Sequence, residues 1–181
     1  MPLEIAQLGQ PILREIARKV SPEEIRSEEF QAFLDEMVAT MHEGGGVGLA
    51  APQVFDERRV FLAAIMPPKA KGETPQVECF INPRLSQLSE EKRSAWEGCL
   101  SFLELLVYVP RHRKLRIDYL DRQGEPRALE LAGYPARVIQ HEYDHLDGVL
   151  TIDRAQSTKD IVKASEIDDV IANGKDDDED S

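Results

Sequence analysis

The sequence is poor in cysteine, with only Cys79 and Cys99 in 181 residues. A fold held together by disulfides would need more of them, so both thiols are expected to be reduced. The N-terminal residues also lack the basic segment and apolar stretch of a secretory signal. Together these features predict a protein of the cytoplasm rather than a secreted, disulfide-rich domain.

Long apolar runs and an excess of positive charge are missing as well. No run approaches the roughly 20 apolar residues that a membrane-spanning helix needs, so no membrane partner is expected. Asp and Glu number 34 against 22 Lys and Arg, which gives a formal net charge of −12 at pH 7. A chain this acidic is not expected to bind a specific nucleic acid, because phosphates are bound by basic surfaces.

A run of acidic residues stands at the C-terminus. Residues 174–181 contain five acids and one lysine, with no large apolar side chain. Like charges repel and nothing anchors this segment, so a disordered tail is expected. Residues 1–173 form the rest of the chain, and their length suits a single compact domain.

Hydrophobic patterning predicts an α+β fold. An N-terminal amphipathic helix is expected to begin with Ser21 as its N-cap and Pro22 as its first residue, and to end at Gly44. A second helix is expected from Tyr134 to Gly148. Between the two helices lie the strand-like runs 60–66, 77–85, 94–101, 114–120 and 127–131. We expect these strands to form small mixed or antiparallel sheets around the second helix, which carries a candidate metal-binding motif.

The second helix contains the sequence QHEYDHLDG at residues 140–148. His141 and His145 are four residues apart, so they share one helix face and can bind the same metal ion. Glu142 lies about 100° further round the helix, beside the position where a water molecule would sit. H-E-x-x-H is typical of zinc hydrolases, in which the glutamate is the general base. The alternative is a pair of surface histidines next to an unrelated glutamate.

A hydrolytic metal site needs a third protein ligand and one open position. The extended motif with a third histidine is absent, because Thr151 occupies that place. Glu166 is the next glutamate downstream, in a weakly patterned segment. Cys99, within WEGCLS at residues 96–101, is the better candidate because a thiolate binds first-row metals strongly. Trp96 in this segment is expected to lie in the core.

A glycine-rich segment, GGGVGLAAPQ, occupies residues 44–53. A dinucleotide fingerprint would need a strand before it and a helix through it, whereas here a helix precedes it and Pro52 interrupts the end of the segment. A phosphate-binding loop is excluded because no Gly-Lys-Ser/Thr is present. Glycines allow the backbone to approach a ligand closely, and Gln53 can direct an amide N–H at an oxyanion.

Three segments, GVGLAAPQ at 46–53, EGCLS at 97–101 and QHEYDH at 140–145, resemble the three motifs of the peptide deformylases, in the same order. The resemblance extends from about residue 3 to about residue 155. It implies a metal-dependent hydrolase that removes the N-formyl group from the formyl-methionine of newly made polypeptides. A related metallohydrolase acting on another N-acyl or formyl group is the alternative. The implied partners are nascent formyl-methionyl peptides and, in transient contact, the ribosome.

The resemblance also implies roles for individual residues. The metal ligands would be Cys99, His141 and His145, holding one divalent ion, with Fe²⁺ expected and Zn²⁺, Ni²⁺ or Co²⁺ as alternatives. The catalytic groups would be Glu142 as general base and acid, with the Gln53 side chain and the Leu100 backbone N–H as oxyanion donors. The substrate contacts would be Val47, Gly48, Glu97, Tyr134 and Val138. For Glu97 a buried pair with an arginine is an equal alternative.

Two more expectations concern the surroundings of the site. Ligating histidines usually donate their other ring nitrogen to a carbonyl or carboxylate, and Asp144 is a candidate acceptor, although it could equally be an exposed helix acid. After Ser101 many family members have a proline in the second place and an arginine in the fifth. This chain has Leu103 and Leu106 there, in an apolar segment expected to line the substrate cleft.

Overall fold

The structure, a computed structural model, describes residues 2–66 and 75–172. Its strands are β1 (Gly48–Ala50), β2 (Val60–Met66), β3 (Gln76–Ser86), β4 (Lys92–Glu97), β5 (Leu105–His112), β6 (Lys114–Leu120), β7 (Pro126–Ala132) and β8 (Ile161–Lys163). They form a five-stranded sheet in the order β1-β2-β3-β6-β7 and a three-stranded sheet in the order β4-β5-β8. The named strand pairs are all antiparallel, which confirms the α+β class. The tail predicted at 174–181 lies outside the described residues.

The helices are α1 (Pro22–Ile25), α2 (Glu28–Glu43), α3 (Tyr134–Leu146) and α4 (Ile167–Ala172). Ser21 caps α1, and its side chain accepts a hydrogen bond from the Glu24 N–H while the Glu24 carboxylate accepts one from the Ser21 N–H. Ser27 then caps a separate helix, α2. The predicted single helix from Ser21 is therefore divided, because a second capping serine offers the backbone a new helix start.

The second sheet differs from its sequence prediction. The strand predicted at 94–101 is β4, which ends at Glu97, and residues 99–102 form a turn in which the Phe102 N–H donates to the Cys99 carbonyl. Strand β5 was not predicted, although it pairs with β4 along its length, from Lys92 opposite His112 to Glu97 opposite Val107. Because the chain turns after β4 instead of continuing as a strand, Cys99 lies next to His145 of α3.

Helix α3 lies in the interior and packs against β1, β2 and β7 of the first sheet and β5 of the second. Nine of its 13 residues are buried, including His141, Glu142 and His145. Beneath it, the rings of Phe61 and Phe80 stack with their centroids 4.8 Å apart. Burying polar groups on such a helix costs free energy unless they find partners, so their presence there indicates a functional role.

None of the helices in residues 2–66 and 75–172 is both long enough and apolar enough to cross a bilayer.

Candidate metal centre and active site

The three predicted metal ligands converge. Cys99 comes from the turn after β4, while His141 and His145 come from successive turns of α3. Their ligand atoms all lie within 4.8 Å of one another, and Cys99 Sγ is 3.4 Å from His145 Nε2. Bonds of about 2.3 Å to sulfur and about 2.0–2.1 Å to nitrogen place tetrahedral ligand atoms roughly 3.5 Å apart. The triad therefore fits one divalent cation, and its thiolate and imidazoles are donors that first-row metals prefer.

The outer nitrogen of His141 is held by Glu97. His141 Nδ1 donates to Glu97 Oε2 at 3.0 Å, and Thr151 Oγ1 lies 3.3 Å from the same nitrogen. This leaves Nε2 of His141 to face the metal position. Nδ1 of His145 has no hydrogen-bond partner among the described residues, so the expectation that Asp144 accepts from a ligating histidine is wrong for both rings. Asp144 is not an exposed helix acid either, because it is buried and bonded to Arg111 and Arg154.

Glu97 belongs to a chain of buried ion pairs behind the metal ligands. Arg111 donates through Nε to Glu97 Oε1 at 3.0 Å and through Nη2 to Oε2 at 2.9 Å, and its Nη1 reaches Asp144 Oδ2 at 2.5 Å. Arg137 Nη1 adds a bond of 2.8 Å to Glu97 Oε1. Burial alone would raise the pKa of Glu97, but the guanidinium of Arg111 and the imidazole of His141 hold it well below its usual range.

These bonds decide what Glu97 can do. A carboxylate offers about four lone-pair positions, and those of Glu97 are taken by two bonds from Arg111, one from Arg137 and one from His141. For Glu97 the sequence left two roles open, a contact with substrate and a buried pair with an arginine. The structure has the arginine pairs, and although Glu97 borders the cleft, its carboxylate has no acceptor position left for a ligand.

Glu142 is in the opposite situation. Its side chain is 4% exposed, and Oε2 has no hydrogen-bond partner within the described residues. Burial raises its pKa to about 7. On one side the backbone of β1 presses against it, since a Cβ added at Gly48 would lie 2.3 Å from Glu142 Oε1. A buried, unpaired carboxylate is costly, and its position beside the three ligands fits a proton-transfer role.

The predicted oxyanion donors lie next to the ligand turn. Gln53 is buried, and its Oε1 accepts a hydrogen bond from the Ala50 N–H at 2.9 Å. Its Nε2 donates to Ser101 Oγ at 3.1 Å and lies 3.4 Å from Cys99 Sγ. The amide is thus fixed at both ends and directed at the metal position. Leu100 follows Cys99 in the same turn and borders the same cleft.

The cleft over the triad has a volume of about 310 Å³. One wall is the glycine-rich segment with Val47 and Gly48, the second is the end of β4 with its turn, and the third is α3 with Tyr134 and Val138. All the predicted substrate contacts therefore border it. Trp96 borders it as well, with its ring 5.1 Å from that of Tyr108, so its assignment to the core was wrong.

Sequence reasoning missed four residues of this region, namely Arg111, Arg137, Ser101 and Thr151. Only Arg137 carried a signal, because it precedes His141 by four residues on the same helix face. Ser101 follows Cys99 by two residues in the quoted segment, although its bond to Gln53 was not foreseen, whereas Arg111 and Thr151 reach the site through the fold. Arg111, for example, is 33 residues from Asp144 in sequence.

A thiolate, two imidazoles and a free buried glutamate around one cleft define a metal-dependent hydrolase. Residues 2–160 match the profile of the family described as polypeptide deformylase. The chain belongs to this family and is an enzyme that removes the N-formyl group from nascent peptides.

Individual members of the family are similar to this chain in sequence over most of their length. Peptide deformylase 2 of Nostoc sp. is 39% identical over 171 residues, covering 93% of this chain and 94% of the relative. The peptide deformylase of Treponema pallidum is 42% identical over 152 residues, covering 84% and 87%. None of these relatives supports the alternative of a different N-acyl substrate.

Solved structures of peptide deformylases also resemble this chain in fold. The Met-Ala-Ser-bound class I type b peptide deformylase of Acinetobacter baumannii superposes with a TM-score of 0.78 at 38% identity, covering 85% of this chain and 98% of that one. The peptide deformylase of Thermotoga maritima gives a TM-score of 0.77 at 38% identity, covering 87% and 99%.

Proposed function

We propose that Cys99, His141 and His145 hold one divalent cation and that Glu142 is the general base and acid of deformylation. The observation that carries this proposal is the unpartnered, buried Oε2 of Glu142 beside three converging ligand atoms. The cation, when bound, supplies Lewis acidity that activates water and polarises the formyl carbonyl.

Glu142 moves the proton. Its carboxylate accepts a proton from the attacking water and later delivers it to the leaving amine. Burial raises its pKa toward neutrality, which suits a group that must both accept and give a proton. Gly48 takes part without a side chain, because any Cβ at this position would displace the carboxylate.

Gln53 and Leu100 stabilise the developing charge. As the formyl oxygen becomes negative, the Gln53 amide N–H nearest to Cys99 Sγ and the backbone N–H of Leu100 donate to it. The Gln53 amide is held in place by the Ala50 N–H and Ser101 Oγ, so little reorganisation is needed during the reaction.

Glu97 acts on the metal ligand rather than on the substrate. Its bond to His141 Nδ1 fixes the ring orientation and keeps Nε2 free for the cation. Arg111 in turn lowers the pKa of Glu97 and so holds it in its ionised form, and Arg137 donates a further hydrogen bond to it.

The methionine side chain of the substrate enters the part of the cleft between Trp96, Tyr134 and Val138. Arg137 also borders this part. Its guanidinium is engaged by Glu97 and the carbonyls of Val109 and Arg93, so only its aliphatic stem is available to an apolar ligand. The Gly48 backbone and Val47 lie along the remaining wall. The binding of Met-Ala-Ser by the Acinetobacter relative supports a peptide of this type.

Within this proposal the native cation is Fe²⁺, and the enzyme works in the cytoplasm in transient contact with the ribosome. Residues 1–173 form its catalytic domain. Elemental analysis of protein purified without oxygen tests the metal, with iron expected at about one equivalent per chain and zinc alone as the contrary result.

The function itself is tested by two matched peptides. Protein loaded with Fe²⁺ under anaerobic conditions is assayed on formyl-Met-Ala-Ser and acetyl-Met-Ala-Ser. Formate release from the first without acetate release from the second is expected. Release of acetate would indicate a broader N-acyl hydrolase, and hydrolysis of neither peptide would overturn the proposal.

A further inference from the structure

Three exposed apolar side chains border the opening of the cleft. Among the described residues, seven large hydrophobic side chains are exposed, and three of them border this one cleft: Val47 at 44%, Leu103 at 65% and Tyr134 at 61%. Single exposed hydrophobics are normal on a protein surface, but a group of them at a functional opening indicates a contact with a ligand.

The three residues come from separate parts of the chain. Val47 lies in the glycine-rich segment, Leu103 in the turn after β4, and Tyr134 at the first position of α3. Their common location at the cleft is therefore a product of the fold. We name Val47, Leu103 and Tyr134 the rim.

The carboxylates and the guanidinium that line the cleft are either buried or bonded to other groups of the protein. Glu97 and Glu142 are buried at the bottom of the cleft, and the Arg137 guanidinium is bonded to Glu97 and to two backbone carbonyls. The lining residues of the described chain thus give a ligand at the mouth apolar surface and no unpaired charge.

A substrate in the proposed binding mode must pass this rim. With its formyl group at the cation and its methionine side chain in the cleft, the rest of the peptide leaves through the mouth. Side chains of an extended peptide point alternately to opposite sides, about 3.3 Å apart along the chain. The rim therefore meets the side chain of one of the two residues after methionine.

We propose that Leu103, together with Val47 of the rim, selects formyl-methionyl peptides carrying an apolar side chain at one of the two residues after methionine. This inference rests on the proposed function, since it assumes that the formyl group lies at the triad. Leu103 acts in binding and takes no part in the chemistry.

Four peptides test the selection. The values of kcat/KM are compared for formyl-Met-Leu-Ser, formyl-Met-Ser-Leu, formyl-Met-Ser-Ser and formyl-Met-Asp-Ser. One of the two leucine peptides is expected to be favoured over formyl-Met-Ser-Ser by about fivefold to tenfold, and mainly through KM, because contact at the rim is the same in the ground and transition states. The aspartate peptide is expected to be the poorest.

Matched variants assign the effect to the rim. Leu103→Ser is expected to reduce the leucine-to-serine ratio to within about twofold of unity, and Leu103→Met is expected to restore most of it. Leu88→Ser is the control, because Leu88 is also exposed but does not border the cleft. It is expected to keep the ratio of the unaltered protein.

The outcomes separate this inference from the proposed function. Hydrolysis of all four peptides at similar rates, or an unchanged ratio in Leu103→Ser, overturns the selection alone. Failure to hydrolyse any of them, together with formyl-Met-Ala-Ser, overturns the proposed function and the selection with it.

Discussion

The bottom of the cleft and its rim differ in almost every physical property. At the bottom, polar side chains are buried and their polar atoms are paired, with Oε2 of Glu142 and Nδ1 of His145 as the exceptions among the described residues. At the rim, apolar side chains are exposed. The difference shows that chemistry requires groups fixed in a dry environment, whereas selection among peptides requires only surface that a substrate can cover.

The largest effect is expected at the unpaired carboxylate. Glu142→Ala removes the general base, and kcat for formyl-Met-Ala-Ser should fall by about 10²–10⁴-fold. Since Glu142 is not a ligand in this account, the variant should keep its metal. Formate release and elemental analysis measure the two quantities on one preparation. Loss of the metal together with activity would show that Glu142 is a ligand instead.

The buried ion pairs of Arg111 are tested by the free energy of unfolding of the protein. Arg111→Met leaves Glu97 and Asp144 buried without their shared cation, so the free energy of unfolding should fall by about 3–5 kcal/mol in urea titrations. Arg116→Met is the control, because the Arg116–Asp118 pair is much more exposed and should contribute only about 0–1 kcal/mol. Equal losses in the two variants would contradict the contrast between buried and exposed charge.

Gly48 joins the two regions, since its neighbour Val47 belongs to the rim and its own backbone touches Glu142. Gly48→Ala forces the carboxylate to move, and kcat should fall by about tenfold with the metal retained. A double-mutant cycle gives the control. In the Glu142→Ala background the clash is gone, so adding Gly48→Ala should change the remaining activity by less than about twofold. Additive losses would show that Gly48 acts in another way.

The smallest effect is expected at Thr151. Thr151→Val removes the 3.3 Å contact to His141 Nδ1 but leaves the shorter bond to Glu97. Zinc affinity, measured by competition with a chromophoric chelator, should weaken by about two- to tenfold, corresponding to about 0.4–1.4 kcal/mol. A loss as large as that of Glu97→Ala would mean that Thr151 and not Glu97 orients the ring.

The sequence predicts the residues at the bottom of the cleft better than the buried ion pairs that hold them in place. His141, Glu142 and His145 are neighbours on one helix, so their spacing alone reveals their arrangement. Cys99 is distant in sequence and was found through the need for a third ligand and through the resemblance. The bonds of Arg111 to Glu97 and Asp144 depend on how β5 lies beside β4 and α3, which no local pattern encodes.

Among the secondary-structure elements too, those marked by local sequence patterns were predicted and the others were missed. Strands β2 and β6 were predicted to their last residue because apolar runs and turn residues mark their ends. Strand β5 was missed because its apolar run was interpreted as cleft lining. The division between α1 and α2 was missed because apolar residues continue at helical spacing across the break at Arg26 and Ser27.

X-ray absorption spectroscopy of the metal-loaded protein identifies the ligand atoms themselves. With Zn²⁺ or Fe²⁺ bound under anaerobic conditions, we expect one sulfur and two imidazole nitrogens around the ion, with sulfur at about 2.3 Å for zinc. Cys99→Ser should remove the sulfur contribution. A spectrum with only nitrogen and oxygen neighbours in the unaltered protein would contradict the assignment of Cys99, and with it the proposed site.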